Sequence, residues 1–228
     1  LPTELLPQVS FPFILKTSAK VMKSFKKEKT KPLKKYSILA TAAEIMYICF
    51  HKNFKQTNET NHTYYRWSTF GQKYLCEKLA LSLSPNPVYL ATARIWDEEF
   101  RKRVIHHQER RGPEWTNIEE DKELSRHSLS GRTVLIDCIT LWCTNFFFDL
   151  DADTDRSLAA AKAEFDCFTA QDATFIFVTN EIGMGGTSEN EIQRKFTDMQ
   201  GWMNQYVASR ADEVILMVSG IATKIKCE

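Results

Sequence analysis

Hydrophobic residues are unevenly arranged along this chain, and their arrangement changes near residue 75. From Cys76 onward, short runs of Val, Ile, Leu and Phe alternate with amphipathic stretches. That alternation predicts an α/β fold, with helices flanking a mostly parallel sheet. The strand-like runs are Val88 to Ala93, Thr133 to Ile139, Thr174 to Thr179 and Glu213 to Ser219. Val134-Leu-Ile-Asp-Cys-Ile139 and Thr174-Phe-Ile-Phe-Val-Thr179 are nearly continuous apolar runs, as suits strands buried on both faces. The helix-like stretches are Glu77 to Leu83, Asp97 to Arg110, Asp155 to Ala170 and Glu189 to Arg210. In the last, Ile192, Phe196, Met199, Met203 and Val207 recur every three or four residues, which predicts one apolar stripe against the sheet.

Upstream the pattern dissolves. Residues 1 to 62 are rich in Lys, Phe, Asn, Tyr and Ile without a helical or strand period, and Lys23 to Lys35 reads as a solvated basic run. The most apolar stretch, Ile38 to Phe50, is broken by Glu44 and falls short of the roughly 20 residues a helical span needs. No membrane span and no signal peptide are expected. The expected organisation is an N-terminal segment, 1–75, that does not fold with the rest, followed by a domain over 76–228.

Composition narrows the function. The chain has 228 residues, 43% of them hydrophobic, enough for one good core. A net charge of +1 gives no overall attraction to nucleic acid or anionic lipid, so any recognition of phosphate has to be local. The six cysteines (Cys49, Cys76, Cys138, Cys143, Cys167 and Cys227) contain no C-x-x-C pair. This argues against a zinc cage or disulfide framework and fits a reducing cytoplasm.

In a parallel α/β sheet, chemistry gathers at the carboxyl ends of the strands. Tyr89-Leu-Ala-Thr-Ala-Arg94 brings small residues and the Thr92 hydroxyl to one such end. These small residues suit either a close-lying nucleotide or plain packing. Asp137 is a carboxylate within an apolar strand, the arrangement that holds Mg²⁺ in Walker B strands. Thr179, Asn180 and Glu181 leave a strand into the glycine-rich stretch Gly183-Met-Gly-Gly186, which reads equally as a ligand loop or as a turn. Ser219-Gly220 reads as little more than a turn.

The most distinctive stretch is Arg101-Lys-Arg-Val-Ile-His-His-Gln-Glu-Arg-Arg-Gly-Pro113, followed by Trp115. A histidine on a helix is usually a surface or packing residue. Here Arg101, Lys102, Arg103, Arg110 and Arg111 surround the pair His106-His107 with cationic groups that can grip triphosphate oxygens and keep an imidazole neutral. A neutral imidazole can attack an α-phosphorus and hold the nucleotide as a phosphoramidate.

Ala91-Thr-Ala93, Arg103-Val-Ile-His-His107 with its downstream Gly112-Pro-x-Trp115, Ile136-Asp-Cys-Ile-Thr140, Val178-Thr-Asn-Glu-Ile-Gly-Met-Gly185 and Val218-Ser-Gly-Ile221 together resemble one family over about residues 76 to 226. It is the bifunctional adenosylcobinamide kinase / adenosylcobinamide-phosphate guanylyltransferase family of cobalamin biosynthesis. The resemblance implies a RecA-like P-loop NTPase fold in a cytoplasmic homotrimer. It also implies two reactions: phosphorylation of adenosylcobinamide, and transfer of GMP from GTP to the resulting phosphate. By position, His107 carries the GMP. The implied nucleotide contacts are Ala91, Thr92, Ala93, Gln108, Glu109, Arg110, Arg111, Glu119 and Asp137. The implied cofactor is Mg²⁺ at Asp137, and the substrates are GTP and ATP.

The chain departs from this family at one place. A short strand and the loop Gly-Gly-x-Arg-Ser-Gly-Lys-Ser, whose amides and lysine cradle triphosphate, are expected before the first helix. Arg66-Trp-Ser-Thr-Phe-Gly-Gln-Lys73 stands there instead, with bulky side chains where glycines are required. Synonymous codons for Thr63 to Lys73 exist that, shifted by one base, encode Leu-Ile-Thr-Gly-Gly-Gln-Arg-Ser-Gly-Lys-Ser. The same shift turns Asn58 to His62 into Met-Lys-Arg-Ile-Ile. A single lost base near Cys76 would restore the frame, so residues 1–75 are expected to be an out-of-frame translation. The functional expectation is a corrinoid-pathway kinase and guanylyltransferase, impaired in the chain as written. The alternatives are a non-catalytic nucleotide-binding or assembly protein of the same fold, and a kinase for another small hydroxyl substrate.

Overall fold

The computed structural model describes residues 46–50, 71–95, 97–109, 111–218 and 221–227. Among them are seven strands: β1 (Met46–Phe50), β2 (Val88–Ala91), β3 (Thr116–Glu119), β4 (Thr133–Asp137), β5 (Thr174–Thr179), β6 (Glu213–Val218) and β7 (Ile221–Cys227). They form one sheet in the order β3-β2-β4-β5-β1-β6-β7. The helices are α1 (Gly71–Leu83), α2 (Glu98–Glu109), α3 (Ile139–Asp149), α4 (Thr154–Thr169) and α5 (Glu191–Arg210). All these elements fall within one unit, residues 41–228.

The four predicted strands are all present, three of them trimmed at the carboxyl end. β2 stops at Ala91, β4 at Asp137 and β6 at Val218. β4 is cut short because the apolar run continues into helix. Cys138 caps α3, its sulfur accepting from the Leu141 N–H at 3.5 Å, and the helix behind it is buried along nearly its whole length. A helix buried on nearly every side shows no apolar period to separate it from a buried strand, so 139–149 does not read as a helix in the sequence. The start of α4 is set by Asp153, whose carboxylate accepts from Arg156 N–H, and that of α5 by Asn190, which accepts from Gln193 N–H. α1 begins at Gly71, six residues ahead of the Glu77 expected from periodicity.

Strands β3, β2, β4 and β5 are mutually parallel. One face is covered by α1, where Leu75, Cys76, Leu79, Ala80 and Leu83 pack with Tyr89, Leu135, Ile176, Val178, Ile215 and Met217. The other receives α4, with Phe168 against Phe175 at 4.7 Å and Phe165 against Phe177 at 5.2 Å between ring centroids. Each large side chain buried in this way contributes roughly 1.5–3 kcal/mol. The stripe expected on α5 is buried at Phe196, Met199, Met203 and Val207, but two polar residues, Gln200 and Asn204, are buried with it.

β1 has an unexpected place. It pairs antiparallel with β5, from Met46↔Thr179 to Phe50↔Phe175, and antiparallel with β6, from Tyr47↔Ile215 to Cys49↔Glu213. β5 and β6 therefore run in the same direction, separated by the width of one strand. β7 closes the sheet antiparallel to β6 and carries Lys224 and Lys226, as sheet edges commonly do.

Candidate active site

The register of the parallel strands assembles the site. Ala91 pairs with Glu119 on one side and with Asp137 on the other, and Asp137 pairs with Val178. One row across the carboxyl edge thus contains Glu119, Ala91, Asp137 and Val178. Partners in register point to the same face of a sheet, so Asp137 and Glu119 share the side on which Ala91 and Val178 pack toward α1.

Immediately beyond this row the chain is tied down by Thr92. Its N–H donates to Asp137 O at 3.1 Å, its hydroxyl donates to Cys138 O at 2.8 Å, and that hydroxyl accepts from Cys138 N–H at 2.9 Å. The side chain is fully buried. Thr92 was expected to offer its hydroxyl to a ligand, yet both hydrogen-bonding roles of that hydroxyl are used to hold the ends of β2 and β4 together. Asn145 of α3 reaches into the same junction, donating to Thr92 O and to Asp121 O at 2.8 Å each. Ala93 follows, half-buried.

Arg94 then anchors the connection to α2. Its guanidinium forms a two-pronged pair with Asp149 at 2.7 and 2.8 Å and a further pair with Asp121, while Lys122 Nζ lies 2.8 Å from Asp149. The hydrogen bonds from Arg94, despite partial burial, hold the Asp149 carboxyl well below the usual carboxylate range.

The histidine-bearing stretch forms α2 as expected, over Glu98–Glu109. His107 and Glu109 lie on its last turns. The side chains of His106, His107 and Glu109, and all of Arg110, lie outside the described residues. Gln108 Nε2 donates to Glu119 Oε1, which fastens the end of α2 to the end of β3. Two residues expected at the site from opposite ends of the α2–β3 connection are thereby brought together. On the first turn of α2, Arg101 is exposed and sits 3.5 Å from Glu98.

Asp137 has a partner that the sequence did not reveal. The hydroxyl of Tyr89, two residues before Ala91 in β2, donates to Asp137 Oδ2. Burial first, then the neighbouring Asp137, raise the phenol well above its ordinary pKa, so Tyr89 is a neutral donor. Alternation along β2 places Tyr89 on the Asp137 face, and the diagonal to the next strand brings the two groups within reach.

The third predicted segment is held by a buried polar network. The Thr179 hydroxyl donates to Asn204 Oδ1 at 2.8 Å, and Gln200 Nε2 donates to both groups at 2.9 Å. Asn204 Nδ2 donates to Asn180 O at 3.1 Å and to Glu181 Oε1 at 2.5 Å, while the Asn180 N–H and amide reach Thr140 Oγ1 at 3.1 Å. The glycines beyond form a 3-10 turn, Ile182–Gly185, and Gly186 adopts a φ of 90°, where a side chain is unfavourable. Ser219 and Gly220 lie outside the described residues, as do residues 51–70.

Among the described residues, no three His, Cys, Asp or Glu side chains converge on one point. None of the helices there is long and apolar enough to cross a membrane. Cys143 and Cys167 are free thiols.

The helix-flanked, mostly parallel sheet is an α/β fold of the RecA-like P-loop NTPase class. The chain belongs to the family described as cobinamide kinase / cobinamide phosphate guanyltransferase, which matches residues 70–225. It is 33% identical over 162 residues to the bifunctional adenosylcobalamin biosynthesis protein CobP of Pseudomonas aeruginosa, a match covering 69% of this chain and 92% of that protein. To the bifunctional adenosylcobalamin biosynthesis protein CobU of Escherichia coli it is 35% identical over 158 residues, 63% of this chain and 87% of the relative. The CobU protein of Salmonella typhimurium gives 35% over 159 residues, with the same coverage of 63% and 87%.

Proposed function

We propose that the domain acts in cobalamin biosynthesis by transferring GMP from GTP to adenosylcobinamide phosphate through His107, and that its intact form also phosphorylates adenosylcobinamide. The observation that carries this reading is the bond from Gln108 to Glu119, which fixes the helix bearing His107 to the row containing Ala91 and Asp137. A nucleophile, a strand end free of bulk and a carboxylate then belong to one edge of the sheet.

In this scheme the neutral His107 imidazole attacks the α-phosphorus of GTP, a P–N bond forms and pyrophosphate departs. The phosphate of adenosylcobinamide phosphate then takes the GMP and the P–N bond breaks. Arg111 and Arg110 bind phosphate oxygens, Gln108 and Glu119 hold the helix end, and Ala91 and Ala93 leave room for the nucleotide while Thr92 between them fixes the strand end. Glu109 lies beside these groups in sequence. Asp137 would supply one carboxylate to Mg²⁺, an ion held by one or two carboxylates together with phosphate oxygens and water. When bound, Mg²⁺ would offset phosphate charge. The same reading implies a cytoplasmic homotrimer.

Residues 1–75 belong to the proposal as an out-of-frame translation of the strand and phosphate loop. Two features support this. Arg66 to Lys73 has the wrong side chains for a cradle and the right middle codon bases for one in the shifted frame. The sheet also has a strand position between β5 and β6 that is filled by Met46–Phe50 running against both neighbours. The kinase half, which depends on the cradle, is accordingly impaired in the chain as written, and a nucleotide-binding protein without catalysis is the second reading. Sequencing the DNA over Thr63 to Cys76 tests the frame, and codons that cannot encode the loop in the shifted register contradict it. Incubation with radiolabelled GTP tests the transfer: acid-labile label on the wild type and none on His107→Ala supports it.

A further inference from the structure

Gly112-Pro-x-Trp115 and Tyr89 are left over once the nucleotide residues have been assigned, yet they meet in space. The backbone N–H of Trp115 donates to Gly112 O at 3.3 Å, closing a turn that sets the indole nearly perpendicular to the Tyr89 ring, 5.7 Å between centroids at 82°. Both rings are buried. The guanidinium of Arg111 lies over the face of Tyr89, 3.8 Å from its centroid. Its Nε is buried without a hydrogen-bond partner, and no carboxylate among the described residues pairs with it. The edge of the same ring, through the hydroxyl, donates to Asp137.

Resting on the nucleotide-site reading, we infer that Tyr89 is a positioning residue: its hydroxyl aims Asp137 while its ring face, buttressed by Trp115, holds the Arg111 guanidinium ready for a phosphate. A guanidinium stacked on an aromatic ring keeps its positive charge and its in-plane donors. A carboxylate partner would have neutralised that charge, whereas stacking fixes the group and leaves it available to an anion. The arrangement spans β2, β4 and the α2–β3 connection, so the spacing between an anionic and a cationic group of the site is set by one side chain.

The test compares the full chain with its Tyr89→Phe and Tyr89→Leu variants. Phenylalanine keeps the shelf and removes the hydroxyl; leucine removes both. Expected are a melting temperature for Tyr89→Phe within a few degrees of wild type, GTP affinity reduced about tenfold in the presence of Mg²⁺, and a larger reduction for Tyr89→Leu. Nitrogen-15 NMR of arginine side chains supplies a readout free of nucleotide. The Arg111 Nε–H should exchange slowly with water in wild type and Tyr89→Phe and rapidly in Tyr89→Leu. Unchanged affinity in both variants overturns the inference, as does an Nε–H that behaves identically in all three. If the wild type binds no GTP, the proposed function fails while the exchange rates still decide whether Tyr89 holds Arg111.

Discussion

Thr92 and Cys138 exchange two hydrogen bonds, the threonine hydroxyl accepting from the Cys138 N–H at 2.9 Å and donating to its carbonyl at 2.8 Å. Through this pair the ends of β2 and β4 act as one body, and the register of Ala91 with Asp137 is preserved to the last residue of each strand. Replacing the hydroxyl by a methyl leaves the buried Cys138 N–H without its acceptor, while the Cys138 carbonyl keeps the Trp142 N–H at 3.0 Å. Thr92→Val is expected to cost about 1–3 kcal/mol, read as a lower melting temperature, while Thr92→Ser retains most of the stability. Equal melting temperatures for Thr92→Val and wild type would show that the junction holds without this residue.

Acid stability should report on Asp149. Its carboxyl titrates below the usual range because Arg94, and secondarily Lys122, hold its charged form. A lowered folded-state pKa contributes stability above the unfolded value, about pH 4, and that contribution is lost as the pH falls through the folded value. Asp149→Asn should therefore be less stable than wild type near neutrality, with the difference shrinking below about pH 4 in urea titrations. A difference that stays constant down to pH 2 contradicts the assignment.

Asn204 joins four groups, Thr179, Gln200, Asn180 and Glu181, and is nearly fully buried. Asn204→Leu leaves several of them without partners and is expected to cost about 2–4 kcal/mol, against about 1 kcal/mol for Gln200→Leu, whose Oε1 already lacks a partner. A double-mutant cycle should show the two to be strongly non-additive, since they share one network. Simple additivity would mean that each acts alone.

How much of this was legible in the sequence depends on whether a signal was periodic. Phe175 and Phe177 declared their strand by a nearly unbroken apolar run, Phe196 and Val207 their helix by spacing, and the core contains all four. α3 escaped because it is buried on nearly every side, so no apolar period distinguishes it from the strand it follows. β3 escaped because Thr-Asn-Ile-Glu is short and polar. At the site, Ala91, Asp137, Glu119 and Gln108 were recognisable as residues, whereas their sharing a row depends on long-range register that no local pattern records. Tyr89 gave no signal at all: an aromatic in an apolar strand reads as core, and its bond to Asp137 appears only when the neighbouring strand is placed beside it.

Restoring the shifted frame should change the behaviour of the protein as well as its sequence. A parallel Leu-Ile-Thr strand followed by a glycine loop would compete for the position now occupied by Met46–Phe50 between β5 and β6. The repaired gene is expected to give a higher soluble yield than the chain as written, where that central position is held by a strand antiparallel to both its neighbours. Parallel expression measures this, and equal yields count against the lost-frame account.

The most direct measurement is the fate of labelled guanylate on the histidine. Wild-type and His107→Ala proteins, each in the written and frame-restored forms, are incubated with GTP labelled at the α-phosphate, denatured and mapped by peptide. The expected result is an acid-labile, alkali-stable label on the peptide containing His107 in the frame-restored wild type, missing from His107→Ala. A frame-restored protein that takes up no label, or a His107→Ala protein that retains it, contradicts the assignment of His107 as the residue that carries GMP.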